Sequence, residues 1–231
     1  ELLLSIERAD NESGRFRLLL CSLVLFIVGT AALPETGPAR FLEFVLLVGA
    51  LVIALVELRV DGQSHLVPIV LAAGVIFVTV ADHAIRLRHL PVIASILVAI
   101  FSGVVVGLAY ASVMRPDRSV SDRIVGAICV YLLIGLAWAS LFETLDSVVP
   151  ASFRFPAGTA WATPGTVRYH YFSFVTLATL GYGDVTPQTA LAGTLAALEA
   201  VSGQLYIGIT VARLVALSMA DRAVGSSKTG E

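Results

Sequence analysis

Apolar residues gather in six runs, Leu18 to Leu33, Phe41 to Val56, Leu66 to Ala81, Leu90 to Met114, Ile124 to Phe142 and Ala190 to Met219, interrupted by charge only at Glu43, Glu199 and Arg213. A bilayer core about 30 Å thick takes roughly 20 helical residues to cross, and the shorter runs reach that length by extending a turn into their flanks. The pattern predicts six crossings. Two stretches between the last two runs read differently. Ser147 to Val167 is rich in Pro, Gly and Ala and reads as an external loop. Tyr169 to Ala178 is a helix too short to cross, tolerated at membrane depth only where protein surrounds it. Arg115 to Arg123 is a polar connector that reads as a short surface helix on the inner face.

Composition agrees with a membrane chain: 57% of residues are hydrophobic and 14% charged, with a mean hydropathy of +0.89. The net charge of −2 points to no particular partner. With the N-terminus inside, the inner side holds Arg8, Arg15, Arg17, Arg59, Arg115, Arg118, Arg123, Arg213, Arg222 and Lys228. The outer side holds Arg40, Arg86, Arg88, Arg154 and Arg168. That division of the chain's 15 basic residues places both termini in the cytoplasm. Arg15 and Arg17 precede the first run as in a signal peptide, but no small-residue cleavage site follows and a second run comes after a short turn, so the first run reads as a retained helix. Cys21 and Cys129 lie inside apolar runs and read as small buried hydrophobes, with no disulfide framework or metal spacing.

The densest chemistry is Thr176-Leu177-Ala178-Thr179-Leu180-Gly181-Tyr182-Gly183-Asp184. Removing water from a monovalent cation is costly, so a pore selecting a dehydrated ion must replace the hydration shell with rings of oxygens. The carbonyls of Thr179, Leu180, Gly181 and Tyr182, with the Thr179 hydroxyl, are placed to supply them. Turning successive carbonyls to one side drives alternate residues into dihedrals that glycine enters at little cost, and Gly181 and Gly183 fall at alternate positions. Tyr182 is expected to point away from the axis, and Asp184 to close the stretch at its outer mouth. One chain makes one wall, so a single copy implies four chains around one ion path.

Phe174 to Pro187 resembles the potassium-channel signature of bacterial tetrameric cation channels. The stretch Leu198-Glu199-Ala200-Val201-Ser202-Gly203-Gln204-Leu205-Tyr206, followed by Val211-Ala212-Arg213-Leu214-Val215, is similar to their inner helices. The strong resemblance covers Ile124 to Met219, and the first four spans match by number and order. Two departures stand out: Ala178 occupies a position where many relatives have a second threonine, and Val175 one where some carry a glutamate. Neither is expected to supply an ion-binding oxygen. The resemblance implies a passive, potassium-selective homotetramer in the bacterial plasma membrane, with K+ as permeant ion and no cofactor. It also implies that Tyr171 donates a hydrogen bond to Asp184, that Thr176 and Gly183 support the filter, and that Gly203, twenty residues after Gly183, is a gating hinge. A small residue there also permits close helix packing.

The expected architecture is an all-α integral membrane protein, with six transmembrane helices plus a re-entrant pore helix and filter loop. Residues 1–16 form a cytoplasmic segment and 17–114 a four-helix domain shaped like a voltage sensor. Residues 115–123 form a linker, 124–219 the pore module and 220–231 a cytoplasmic tail. Pro91 to Met114 has no Lys or Arg, so the sensor-like domain lacks the arginine ladder of a steep sensor, and weak or absent voltage gating is expected. Glu43 reads as an interfacial residue, Glu199 as a brace to Ser173 or Thr176, and Arg213, about 15 Å below Gly203, as a headgroup anchor. His65, His83, His89 and His170 lack paired metal spacing. No nucleophile and base come together, so the reading is not an enzyme. Partners are three identical subunits and membrane lipids, with no nucleic acid. The alternatives are a cation channel that does not separate potassium from sodium and a non-conducting membrane scaffold.

Overall fold

The computed structural model describes residues 15–32, 49, 70, 72–75, 77, 90–114, 120–162 and 165–228. Most of the second and third apolar runs, with Glu43, Arg86, Arg88, His65, His83 and His89, and the connector residues 115–119 lie outside the described residues. The described elements are helices α1 (Arg15–Ala32), α2 (Leu90–Val113), α3 (Val120–Val148), α4 (Val167–Leu177) and α5 (Ala190–Lys228), strands β1 (Phe153–Arg154) and β2 (Thr186–Pro187), and a 3-10 turn at Ala160–Ala162. The molecule is mostly helical. Among the described residues, three helices have stretches long and apolar enough to cross a membrane, Ile96–Val113, Val120–Val148 and Ala190–Met219, and Phe16–Ala32 is a shorter apolar helix.

Each apolar helix has one face turned to its neighbours and another left open. On α2, Phe101, Val105, Ala109 and Val113 recur every fourth residue and are fully buried, while Ile93, Ile96 and Ile100 are exposed. On α1, Phe16, Leu19, Leu23 and Phe26 face inward, and Leu18, Leu25 and Val28 face outward. Exposed aliphatic stripes of this kind suit contact with lipid chains or other apolar partners. α1 and α2 both pack on α3, and Cys129, Val130, Leu133 and Leu136 of α3 complete the shared core. A Cβ added at Gly126 would lie 2.5 Å from Val113 Cγ2 and 3.2 Å from the Phe16 ring, so the three helices approach this closely only around a glycine.

A second core lies at the other end of α3. Phe142, Phe153 and Phe172 meet edge to face with ring centroids 5.1 to 5.4 Å apart, and Tyr169 joins Phe153 at 6.2 Å. Such aromatic pairs add stability beyond the area they bury. The described part of the loop between α3 and α4 has more regular structure than its Pro and Gly content suggests. Its β1 pairs antiparallel with β2, Phe153 opposite Pro187 and Arg154 opposite Thr186. Asp146 receives the Tyr169 hydroxyl at 2.6 Å and the Ser152 N–H at 2.9 Å. Arg168 donates to Tyr169 Oη at 2.7 Å and lies 4.1 Å from the Phe155 ring centroid.

Element ends differ from the sequence reading in three places. α3 begins at Val120, so the last four connector residues form its first turn, and Asp122 and Arg123 are buried instead of lying on a surface helix. The short helix starts at Val167, two residues early, and ends one residue early at Leu177. α5 continues nine residues past Met219 to Lys228, so most of the expected tail is helical.

Candidate functional site

Helix α4 points its C-terminus at the motif. It has 11 residues, about 16 Å at the helical rise, and cannot cross a membrane. Its last carbonyls organise the chain that follows. Thr179 N–H donates to Thr176 O at 2.9 Å, Leu180 N–H to Val175 O at 2.9 Å and Gly181 N–H to the same oxygen at 3.4 Å. Three successive amides thus turn back toward α4.

The backbone alternates beyond that point. Thr179, Gly181 and Gly183 have φ of 57°, 55° and 77°, the left-handed region, and every second residue from Thr179 to Gly183 is reversed. For the two glycines this conformation is inexpensive. Thr179 is β-branched and disfavours it, so its geometry stands only because neighbouring contacts impose it. The side chains of Leu180 and Tyr182 are 58% and 67% exposed in the single chain. Two large side chains left bare beside α4 suit a surface that another chain covers.

The stretch ends at Asp184. Tyr171 Oη donates to Asp184 Oδ2 at 2.6 Å, and Val185 N–H donates to Oδ1 at 2.9 Å. Burial and the bond to Asp184 push the Tyr171 hydroxyl up to about 12. The same bond, more than any other contact, holds the Asp184 carboxyl below its ordinary value. Tyr171 is itself covered by Trp161 from the 3-10 turn, with ring centroids 4.0 Å apart and planes 12° from parallel. Sequence reasoning missed Trp161. Nine residues, a Pro-Gly pair among them, separate the two in sequence, and no periodicity connects them.

α5 supports the motif from behind. Glu199 is fully buried, and Ser173 Oγ lies 2.5 Å from Glu199 Oε1 and 2.7 Å from Gly135 O. The carboxyl therefore meets Ser173, one of the two residues expected to receive it. Ser173 also ties α4 to α3. Gly203 sits against the end of α4, and a Cβ placed there would overlap the Leu177 carbonyl oxygen. Close packing is thus one evident reason for glycine at this position. Thr176 is half-buried, its carbonyl engaged by Thr179, and Arg213 is exposed on the far half of α5. Among the described residues, no three His, Cys, Asp or Glu side chains are grouped to hold a metal ion.

Comparison with known families gives one match, to the ion channel family Ion_trans_2, over residues 126–219. The match takes in most of α3, the loop that follows it, α4, the motif and most of α5, fewer than half of the chain's 231 residues. It supports a membrane ion channel that conducts passively, and this is not a family of enzymes. Channels of this family typically assemble as oligomers. No curated protein and no solved structure matches the chain.

Proposed function

We propose that the protein is a potassium-selective channel, a homotetramer whose Thr179 to Tyr182 carbonyls form the filter around a fourfold axis. The observation that carries this reading is the alternation of left-handed residues at 179, 181 and 183, with the amides of 179 to 181 turned toward α4. When the amides point one way, the carbonyls are free to face the other, as a ring of ion-coordinating oxygens requires. The C-terminal end of α4 adds the negative end of its dipole beside the ion path. Exposure of Leu180 and Tyr182 supports neighbouring copies at this surface. Thr176, Gly183, Asp184 and Tyr171 support the filter and its outer mouth, and Gly203 is the hinge of the inner helix. The filter loop enters from outside a bacterial plasma membrane, six spans cross it, and both termini lie in the cytoplasm among lipid headgroups.

The test is reconstitution in liposomes and planar bilayers, with potassium on one side and sodium on the other. The reversal potential should lie near that of potassium. Gly183→Ala and Tyr182→Asp should each bring it toward zero or abolish current, because both disturb the carbonyl rings. Equal passage of sodium by the unaltered protein, or unchanged preference in both variants, would refute the filter assignment.

A further inference from the structure

The contact between Trp161 and Tyr171 joins the external loop to the motif at a point that the proposed conduction path does not itself require. The turn carrying Trp161 is held by Ala162 N–H donating to Thr159 O at 3.1 Å and by the Thr159 hydroxyl donating to Pro156 O at 2.8 Å. Its indole lies flat on the Tyr171 ring, 4.0 Å between centroids. Tyr171 in turn reaches Asp184 at 2.6 Å. The same loop is anchored a second time, just past Asp184, by β1 pairing with β2 and by Gln188 N–H donating to Ser152 O at 2.8 Å. Asp184 is therefore bracketed: its carboxylate is held by a tyrosine that the loop covers, and the chain after it is clamped by the loop's own strand.

We propose that Trp161 is a positioning residue for the outer end of the filter, setting the Tyr171 ring so that its hydroxyl meets Asp184 and keeps the filter in its conducting shape. This inference rests on the filter reading above. An indole lying flat on the ring blocks a swing of the tyrosine side chain about χ1 toward the loop, and such a swing carries the hydroxyl, at the far end of the ring, out of reach of the carboxylate. Among the described residues no hydrogen bond joins the indole to a carbonyl of Thr179 to Tyr182, so its removal changes how long the filter conducts and leaves ion preference intact. The loop becomes a lever on the filter: anything that shifts its 3-10 turn alters Tyr171 before it alters the carbonyl rings.

The experiment records potassium currents from the full chain in planar bilayers, following both the decay of current during sustained conduction and the reversal potential against sodium. Trp161→Ala should speed decay about three- to tenfold, the factor that an aromatic pair of this kind is worth, with the reversal potential unchanged. Trp161→Phe, which keeps a flat ring, should restore most of the slow decay, and Trp161→Leu, which fills space without one, should not. Combined with Tyr171→Phe, Trp161→Ala should add nothing to the decay rate, since both act through one bond. Should Trp161→Ala fail to assemble, the contrast between Leu and Phe decides by the same readout. Decay as slow as wild type in the Ala or Leu variant, or acceleration that adds to Tyr171→Phe, overturns the role of Trp161. Loss of potassium preference in the unaltered protein would instead overturn the filter reading, so the two failures are distinguishable.

Discussion

At the scale of single residues, the end of the proposed filter is held by a donor and an acceptor whose protonation ranges are pushed apart. The Asp184 carboxyl is lowered, so its contribution is present at ordinary pH and is lost as pH falls through that lowered value. The Tyr171 hydroxyl is raised to about 12, so its contribution is complete below the ordinary tyrosine range and is lost only as pH rises through about 12. Burial holds the adjacent His170 down to about 4, which keeps it neutral over the same middle range. Current decay should therefore be flat between roughly pH 5 and 9 on the outer side, and should quicken only in acid below the ordinary carboxylate range. Tyr171→Phe removes the donor, so decay should already be fast at neutral pH and the further acceleration in acid should shrink. Bilayer recordings across an external pH series check this, and a step near pH 7 in the unaltered protein would count against the pairing. The reversed backbone at Gly181 and Gly183 was legible because alternate glycines are a backbone requirement written directly in residue type. Thr179 was not legible as a third left-handed residue, since its side chain argues against the conformation that its neighbours impose.

At the scale of elements, α4 is fastened to α3 and α5 through Ser173, whose one hydroxyl hydrogen faces two oxygens, Gly135 O and Glu199 Oε1. Glu199 Oε2 has no hydrogen-bond partner among the described residues. The two ends of this brace are therefore unequal. Ser173→Ala leaves a buried carboxyl with nothing to bond and should cost about 1–3 kcal/mol. Glu199→Leu still leaves Ser173 its Gly135 partner and should cost less, and Glu199→Gln, whose amide brings its own hydrogens, should be close to neutral. The double variant Ser173→Ala with Glu199→Leu should recover part of the Ser173→Ala loss, because the orphaned carboxyl is gone. Thermal unfolding of the assembled protein in detergent measures all four, and a Glu199→Leu loss exceeding that of Ser173→Ala would refute the order. Sequence reasoning found Glu199 because a carboxylate inside an apolar run demands a partner, and it offered Ser173 and Thr176 without separating them. Helix rotation decides that choice, through the packing of Gly203 on Leu177 and of α4 on α3. The β1 and β2 pairing and the 3-10 turn were hidden for a different reason: two-residue strands leave no alternation to read.

At the scale of the whole molecule, α2 bears on how the channel responds to voltage. A steep sensor moves several arginines across the field, each worth about 2.3 kcal/mol per 100 mV. α2 runs from Leu90 to Val113 without a Lys or Arg, and its buried Phe101, Val105, Ala109 and Val113 pack in the core it shares with α3 of its own chain. Arg86 and Arg88 precede it, and their spacing of two places them on different faces of any helix that continues α2 backward. What α2 does possess is a route to α5. Tyr110 meets the Tyr206 ring edge to face at 6.4 Å, Tyr131 of α3 lies 6.0 Å from the same ring, and the Tyr206 hydroxyl donates to Ala127 O at 2.7 Å. Tyr206 stands three residues after Gly203, on the side of α5 that would swing if the helix bent there. An uncharged α2 joined to α5 through an aromatic contact can pass on a displacement but has no gating charge with which to generate one from the field. Open probability should thus vary weakly with voltage, with any rectification arising in the filter or from block. Tyr206→Phe, which loses the bond to Ala127 and keeps the ring, should change open probability at every voltage without steepening its voltage dependence. Steady-state currents over a range of voltages decide the point. A steep conductance curve that flattens when Arg86 and Arg88 are neutralised would show that the field is read ahead of α2 after all.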